Sequence, residues 1–314
     1  MIGYIARKLI ELFLTLLVVS LIIFVVIRII PGDPAQIILG VNADPESLGL
    51  LRHKLGLDKP LSVQYGNWLA GLFRFDFGES VSYHRPVSML ILSRLSVTLP
   101  LTFFAVFLAL FLALPLGIFA ATRRNKGADL GVIALSQIGM SIPAFWLGIL
   151  MLMLFSVKFN LLPAGGFTEW AVNPLGAIKS LILPVLTLGL IQSAALTRMT
   201  RASALDVLTA NYIRMARSKG LDERMVLFKH VLSNSLVSIV TLVGLQVGQM
   251  LAGAVVIETV FHLPGLGRML ILAVQQRDLQ LVQGIVLVLV GAIIIINFLV
   301  DVTYSALDPR IRLG

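Results

Sequence analysis

The stretch Tyr212–His230, YIRMARSKGLDERMVLFKH, lies between two strongly apolar runs. It carries Arg214, Arg217, Lys219, Arg224 and Lys229 in a chain of which only 13% of residues are charged. Leu205, Leu208, Tyr212 and Met215 recur at helical spacing, which predicts one apolar stripe leading into it. Gly220 is placed as a helix stop, because glycine takes the left-handed conformation without strain. Asp222 then fits an N-cap, Glu223 an acid in a first turn, and Leu221 with Val226 a hydrophobic staple. The second helix continues through Phe228, Val231 and Leu232 into the next apolar run. The pattern is helix, glycine turn, helix, attached to a long greasy segment.

Working outward, the chain of 314 residues is 58% hydrophobic. Soluble domains are about a quarter charged, so the scarcity of charge is the sharper signal. Crossing a bilayer takes about 20 apolar residues. Six segments qualify: Leu9–Ile30, Val97–Ala121, Ile133–Phe159, Ser180–Met199, Leu236–Ile257 and Leu281–Tyr304. The first follows Arg7 and Lys8 but is too long for a cleaved leader, so an uncleaved signal anchor is expected. The expected fold is an all-α integral membrane protein with six transmembrane helices.

Lysine and arginine in short loops set the orientation. With the N-terminus inside, Arg7, Lys8, Arg123, Arg124, Lys126, Arg198, Arg201, the basic residues of the opening stretch, Arg310 and Arg312 all fall inside. Only Lys158, Lys179, Arg268 and Arg277 fall in short outer loops. Both termini are therefore expected in the cytoplasm. The net charge of +9 follows the membrane sides, which speaks against nucleic acid as a partner and for contact with membrane lipid.

The expected organisation is residues 1–30 for the N-terminus and first span, and 31–96 for an outer segment. Residues 97–304 hold the other spans with a cytoplasmic loop at about 200–235, and residues 305–314 form a cytoplasmic tail. The outer segment opens with PGDP (31–34), a turn signature. Its Tyr65, Trp68, Phe73, Phe75 and Phe77 are placed as interface anchors of a cap resting on the outer ends of the spans.

Chemistry inside the spans is neutral. Arg28, Glu258 and Asp301 are read as interfacial, which argues against a proton or sodium relay and so against an ion-coupled carrier. Gln137 and Ser141, Gln192, and Gln246 with Gln249 are candidates either for interhelical hydrogen bonds or for lining a translocation path. Gly244, Gly248 and Ala252 form a predicted small-residue face. His53, His84, His230 and His262 show no ligand spacing, and with no cysteine in the chain no metal site is expected. No phosphate-binding G-x-x-x-x-G-K-[ST] occurs, and Gly265-Leu266-Gly267 reads as a turn in an outer loop. No catalytic residues are assigned; the chain is not expected to be an enzyme.

ARSKGL (216–221) with HVLSNSL (230–236) resembles the cytoplasmic loop of ABC importer permeases. YIARKLI (4–10), PGDP (31–34), LGLDKPLSVQYGNWL (55–69), DFGES (76–80), SIPAFWLG (141–148), ETVFHLPGLGR (258–268) and DPR (308–310) extend the resemblance along the chain. The likeness is to the first, B-type, subunit of dipeptide, oligopeptide and nickel importers. Where that family's loop carries Glu-Ala-Ala, this chain has Arg214, Met215 and Ala216. The resemblance implies a type I ABC importer permease fold with an outer cap between helices 1 and 2, in the inner membrane of a bacterium. It also implies a second homologous (C-type) permease, two ATPase subunits that bind ATP and Mg, and a solute-binding protein. Cargo is expected to be peptide, with nickel or another small solute as the alternative. Tyr212, Arg214, Ala216, Arg217, Gly220, Leu221 and Asp222 would then form the helix that docks on an ATPase subunit.

Overall fold

The computed structural model describes residues 2–29, 34–39, 44–54 and 56–307. Most of the PGDP turn, the DPR stretch, Arg310 and Arg312 lie outside the described residues. Long helices dominate: α1 (Ile2–Ile29), α5 (Val87–Thr122), α8 (Pro174–Thr209), α11 (Ser233–Val260) and α13 (Leu279–Leu307). Each is long and apolar enough to cross a membrane. Short helices α2 (Pro34–Leu39), α3 (Pro45–Lys54) and α4 (Leu61–Leu72), with an antiparallel hairpin of β1 (Glu79–Ser80) and β2 (Arg85–Pro86), join α1 to α5.

The third expected span is not one rod. It divides into α6 (Gly127–Ser141) and α7 (Ala144–Met151), the latter running on as a π-helical turn, Leu152–Lys158, and the two halves meet at 97°. The cause is local. Pro143 has no amide to donate and disfavours the α conformation at Ile142 before it. Ile142 is accordingly extended (φ −80°, ψ 123°). The whole still traverses the bundle: α6 packs on α8, and α7 packs on α11 as well.

Two spans overrun their apolar stretches. α5 and α8 have 36 residues each, about 54 Å at α-helical rise, against a hydrocarbon core of about 30 Å. Asn173 starts α8 by accepting a hydrogen bond from the amide of Gly176 (3.0 Å), with Pro174 at the first helical position. α5 and α8 form the most intimate pair. Ala105, Ala109 and Ala113 are fully buried on α5, and a Cβ on Gly117 would lie 2.6 Å from the Cβ of Thr200. Close backbone approach of this kind is what small residues allow between membrane helices. The small-residue face expected on α11 is narrower: Gly244 and Gly248 meet Val300 and Ile293 of α13, while Ala252 is exposed. Each four-residue step drifts by about 40° around a helix, which carries Ala252 off the contact.

Three apolar clusters lie along the bundle. The central one joins α5, α8 and α11 through Leu101, Leu188, Met250 and Phe261. A second joins α5, α12 (Leu266–Gln275) and α13 at the end that carries the hairpin. The third, at the opposite end, gathers Ala121, Ala204, Ile213, Val226 and Val231. α1 packs on α13, and Lys8 Nζ lies 3.0 Å from Asp301 Oδ2. Among the cap aromatics, Tyr65 and Trp68 stack around Phe24 of α1, and the Tyr65 hydroxyl is 2.8 Å from Ser20 Oγ. Phe77 joins the second cluster, whereas Phe73 and Phe75 are exposed.

Candidate functional site

The opening stretch folds as helix α9 (Asn211–Ser218), a turn, and a second helix that begins with α10 (Glu223–Met225) and a π-helical segment, Val226–Leu232, before α11. The single stripe predicted from Leu205 to Met215 is broken. Ala210 is extended (φ −67°, ψ 143°), so Leu205 and Leu208 end α8 while α9 starts afresh. The inward face of α9 is Ile213, fully buried, and Ala216 at 8% exposure. Tyr212 and Met215 point away from it, at 42% and 57% exposure.

Gly220 stops α9 at φ +77°. Its amide donates to the carbonyl of Arg217 (2.9 Å), and that of Leu221 to the carbonyl of Ala216 (3.3 Å). This paired pattern is the Schellman closure, which needs a left-handed residue at the glycine's place. Leu221 and Val226 pack in one cluster, as a staple would. Asp222 occupies the N-cap position, but its side chain makes no capping hydrogen bond. The turn is clasped instead by Arg217, whose guanidinium donates to both oxygens of Glu223 (2.6 and 3.1 Å). The result is a knob with Arg214, Arg217, Tyr212 and Met215 outward. Ala216 serves the chain's own core, and no atom lies within 4 Å of where a Cβ on Gly220 would point.

The polar residues of the spans divide into two sets. Gln246 Nε2 on α11 donates to Gln192 Oε1 on α8 at 2.6 Å, so this pair is an interhelical bond. Gln137, Ser141 and Gln249 are exposed on the chain's surface. Ser141 Oγ donates to the carbonyl of Gln137 (2.9 Å), and both residues border a recess at the break between α6 and α7.

Three buried acids were not foreseen as such. Glu258, read from the sequence as interfacial, is fully buried. Its carboxylate accepts from Thr98 Oγ1 (2.6 Å) and from the amide of Arg268 (3.0 Å), while the amide of Leu266 donates to Thr98 Oγ1 (2.9 Å). Glu258 therefore caps α12 from another helix, where the positive end of the helix dipole favours an acid. The predicted Gly265–Gly267 turn is the start of this helix, and its glycines are steric necessities: a Cβ on Gly265 would overlap the Glu258 carboxylate, and one on Gly267 would lie 2.5 Å from Val255 Cα. Asp278 accepts from Ser80 Oγ (2.5 Å) and from the amides of Ser82 (3.0 Å) and Leu281 (3.1 Å), fixing the hairpin to the start of α13. Asp129 receives a bidentate pair from Arg201 (2.5 and 2.7 Å) and the amide of Asn125 (2.9 Å). Asp278 carries an N-cap signature just before an apolar run and was legible by that rule. Thr98 has no comparable signal.

Among the described residues, no group of three or more His, Cys, Asp or Glu side chains could hold a metal ion. The buried carboxylates are each satisfied by hydroxyl, amide or guanidinium donors, so they act as internal clamps.

Long apolar spans joined at one end by a basic, exposed knob describe a multi-span membrane protein. The chain belongs to the family described as the binding-protein-dependent transport system inner membrane component, which matches residues 113–313, with the corresponding N-terminal family matching residues 1–102. It is 44% identical over 297 residues to a putative peptide transport system permease protein of Brucella abortus (strain 2308), covering 95% of each chain. It is 41% identical over 312 residues to the glutathione transport system permease protein GsiC of Salmonella typhimurium (strain LT2), covering 99% of each. In fold it is similar to a chain of the inward-facing methionine ABC transporter MetNI, with a TM-score of 0.60 at 20% identity over 70% of this chain and 97% of that one. Members of this family are the membrane-spanning permeases of ABC importers. They are not enzymes themselves, and they work with ATPase and solute-binding partners.

Proposed function

We propose that this chain is one of two homologous permeases in an importer that moves peptides inward across the bacterial inner membrane. A solute-binding protein delivers the cargo at the hairpin end. ATP and Mg are bound by two ATPase subunits at the knob end. The observation that carries this reading is the knob: α9 is held to the chain by Ile213 and Ala216 and leaves Tyr212, Met215, Arg214 and Arg217 for a partner. Peptide as cargo is supported by the relatives' names. The excess of Lys and Arg at the knob end supports a cytoplasmic location for that end and for both termini.

The mechanism follows from the connections. ATP-driven closure of the ATPase pair displaces α9. The π-helical segment and α11 continue from the knob without a break, so the displacement reaches Glu258 and α12 at the far end. Alternation of the two ends then exposes a path between the permeases, for which Gln137, Ser141 and Gln249 are the available polar residues, with Gln192 and Gln246 bracing it from within.

Purification in mild detergent, with identification of the co-purifying chains and assay of ATP hydrolysis, tests the assembly. Recovery of ATPase subunits and a second permease is expected. Recovery of this chain alone, with solute flux retained in liposomes, would replace the importer by a self-sufficient carrier.

A further inference from the structure

The break between α6 and α7 lies midway along the bent span, with Ile142 and Pro143 out of helical conformation. A recess of about 540 Å³ opens there, lined by Gln137, Ile138, Ser141, Ile142, Pro143 and Trp146. A second hollow of about 310 Å³ shares Ile138 and Ile142 and runs on against α8. Lipid supplies no hydrogen bonds, so non-helical backbone at membrane depth persists only under protein or beside a water-filled cavity. The same holds for the exposed Gln137, because an unpaired amide turned to hydrocarbon is strongly disfavoured.

We infer that this recess is a peptide-binding subsite of the translocation path, with the Trp146 ring as its apolar wall and the Gln137 amide as its polar contact. The inference rests on the importer reading above and assigns it a place. The occupant follows from the lining. Not one of the six residues is charged, so the lining offers no counter-charge to an ion. A carboxamide presents both a donor and an acceptor, which match the C=O and N–H of a peptide backbone. The exposed indole face suits a side chain of any apolar shape. An acyl chain would leave the amide unpaired. The subsite therefore reads backbone rather than sequence.

The test uses the whole reconstituted importer. This chain contains no cysteine, so Ser141→Cys gives it a single thiol whose labelling is read by the mass of this subunit. The probe is a water-soluble cationic methanethiosulfonate. The peptide is whichever is taken up best from a pool of di- to pentapeptides, with uptake measured on the same liposomes. During turnover the thiol is expected to label, and to label about tenfold more slowly with peptide at about ten times its apparent Kd. Trp146→Leu is expected to raise KM about fivefold to tenfold at unchanged kcat, with Trp146→Phe restoring it. Uptake with a thiol that never labels, or labels equally with and without peptide, would overturn the subsite and leave the importer standing. An assembled complex of the unsubstituted chain that takes up no peptide would overturn the peptide reading itself, and loss of uptake confined to Ser141→Cys would overturn the neutral role of that position and move the thiol to Ile138→Cys.

Discussion

Thr98 and Glu258, 160 residues apart in the chain, share a 2.6 Å hydrogen bond in the protein interior. The same hydroxyl accepts from the amide of Leu266, so one threonine joins α5, α11 and α12. Thr98→Val keeps the shape but strips a donor from a buried carboxylate and an acceptor from a buried amide. A loss of about 1–3 kcal/mol of stability is expected, read as a lower unfolding temperature of the purified complex. Thr98→Ser should retain most of the wild-type value. Equal stability of the valine and serine variants would show that the hydroxyl is not bonded as described.

The start of α12 admits no side chain. Gly267→Ala would bring a Cβ against the backbone of Val255, and overpacking of this kind costs about 1–3 kcal/mol. Reduced amounts of assembled complex in the membrane are expected, since a backbone neighbour cannot swing aside. Gly166→Ala makes the contrast: its Cβ would meet nothing within 4 Å, although φ is +80°, so the penalty is confined to the left-handed conformation, about 1–2 kcal/mol.

At the knob end, Asp129 is buried and Arg201 partly so. Asp129→Leu leaves a guanidinium without its partner and is expected to cost about 3 kcal/mol. Replacing both, Asp129→Leu with Arg201→Met, removes the unpaired charge and should recover most of the loss. The check is a double-mutant cycle on thermal stability. Additive losses would mean that the two side chains do not act as a pair.

α9 has a buried face, Ile213 and Ala216, and an exposed face with Tyr212 and Met215, which under the proposed function would separate folding from docking. Ile213→Ser buries an unpaired hydroxyl in the cluster beneath the helix and should lower the amount of folded chain. Tyr212→Ser with Met215→Ser changes only exposed positions. It is expected to leave thermal stability within about 0.5 kcal/mol of wild type while reducing uptake and its coupled ATP hydrolysis at least about tenfold. Full uptake by the double serine variant would remove these two residues from the docking face.

Much of this architecture was legible because membrane spans are written in long, one-letter-like runs. The glycine stop and the leucine–valine staple of the knob were legible for another reason: both are local, set within six residues. What escaped the sequence was tertiary. Pro143 could have signalled the break in the third span, but proline is tolerated inside α5 and α8, so its presence alone does not decide. Glu258 looked interfacial because it ends an apolar run; its burial depends on Thr98, which nothing nearby in sequence announces. The pairing of Gln192 with Gln246 likewise required the crossing of α8 and α11. Tyr212 fitted a stripe by spacing, yet Ala210 turned it outward.

The helical path from Glu223 to Val260 is unbroken, roughly 55 Å at α-helical rise, and Glu258 bolts its far end to α12. Such a shaft, with a knob on one end and a bolted crosspiece on the other, would carry a push from one end to the other. Torque applied by a nucleotide motor at Arg217 would be felt as rocking at Leu266, on the opposite face of the membrane, in a single stroke. In the proposed importer no relay of small rearrangements between the two faces would be needed: the gearing would be that of a rocker arm.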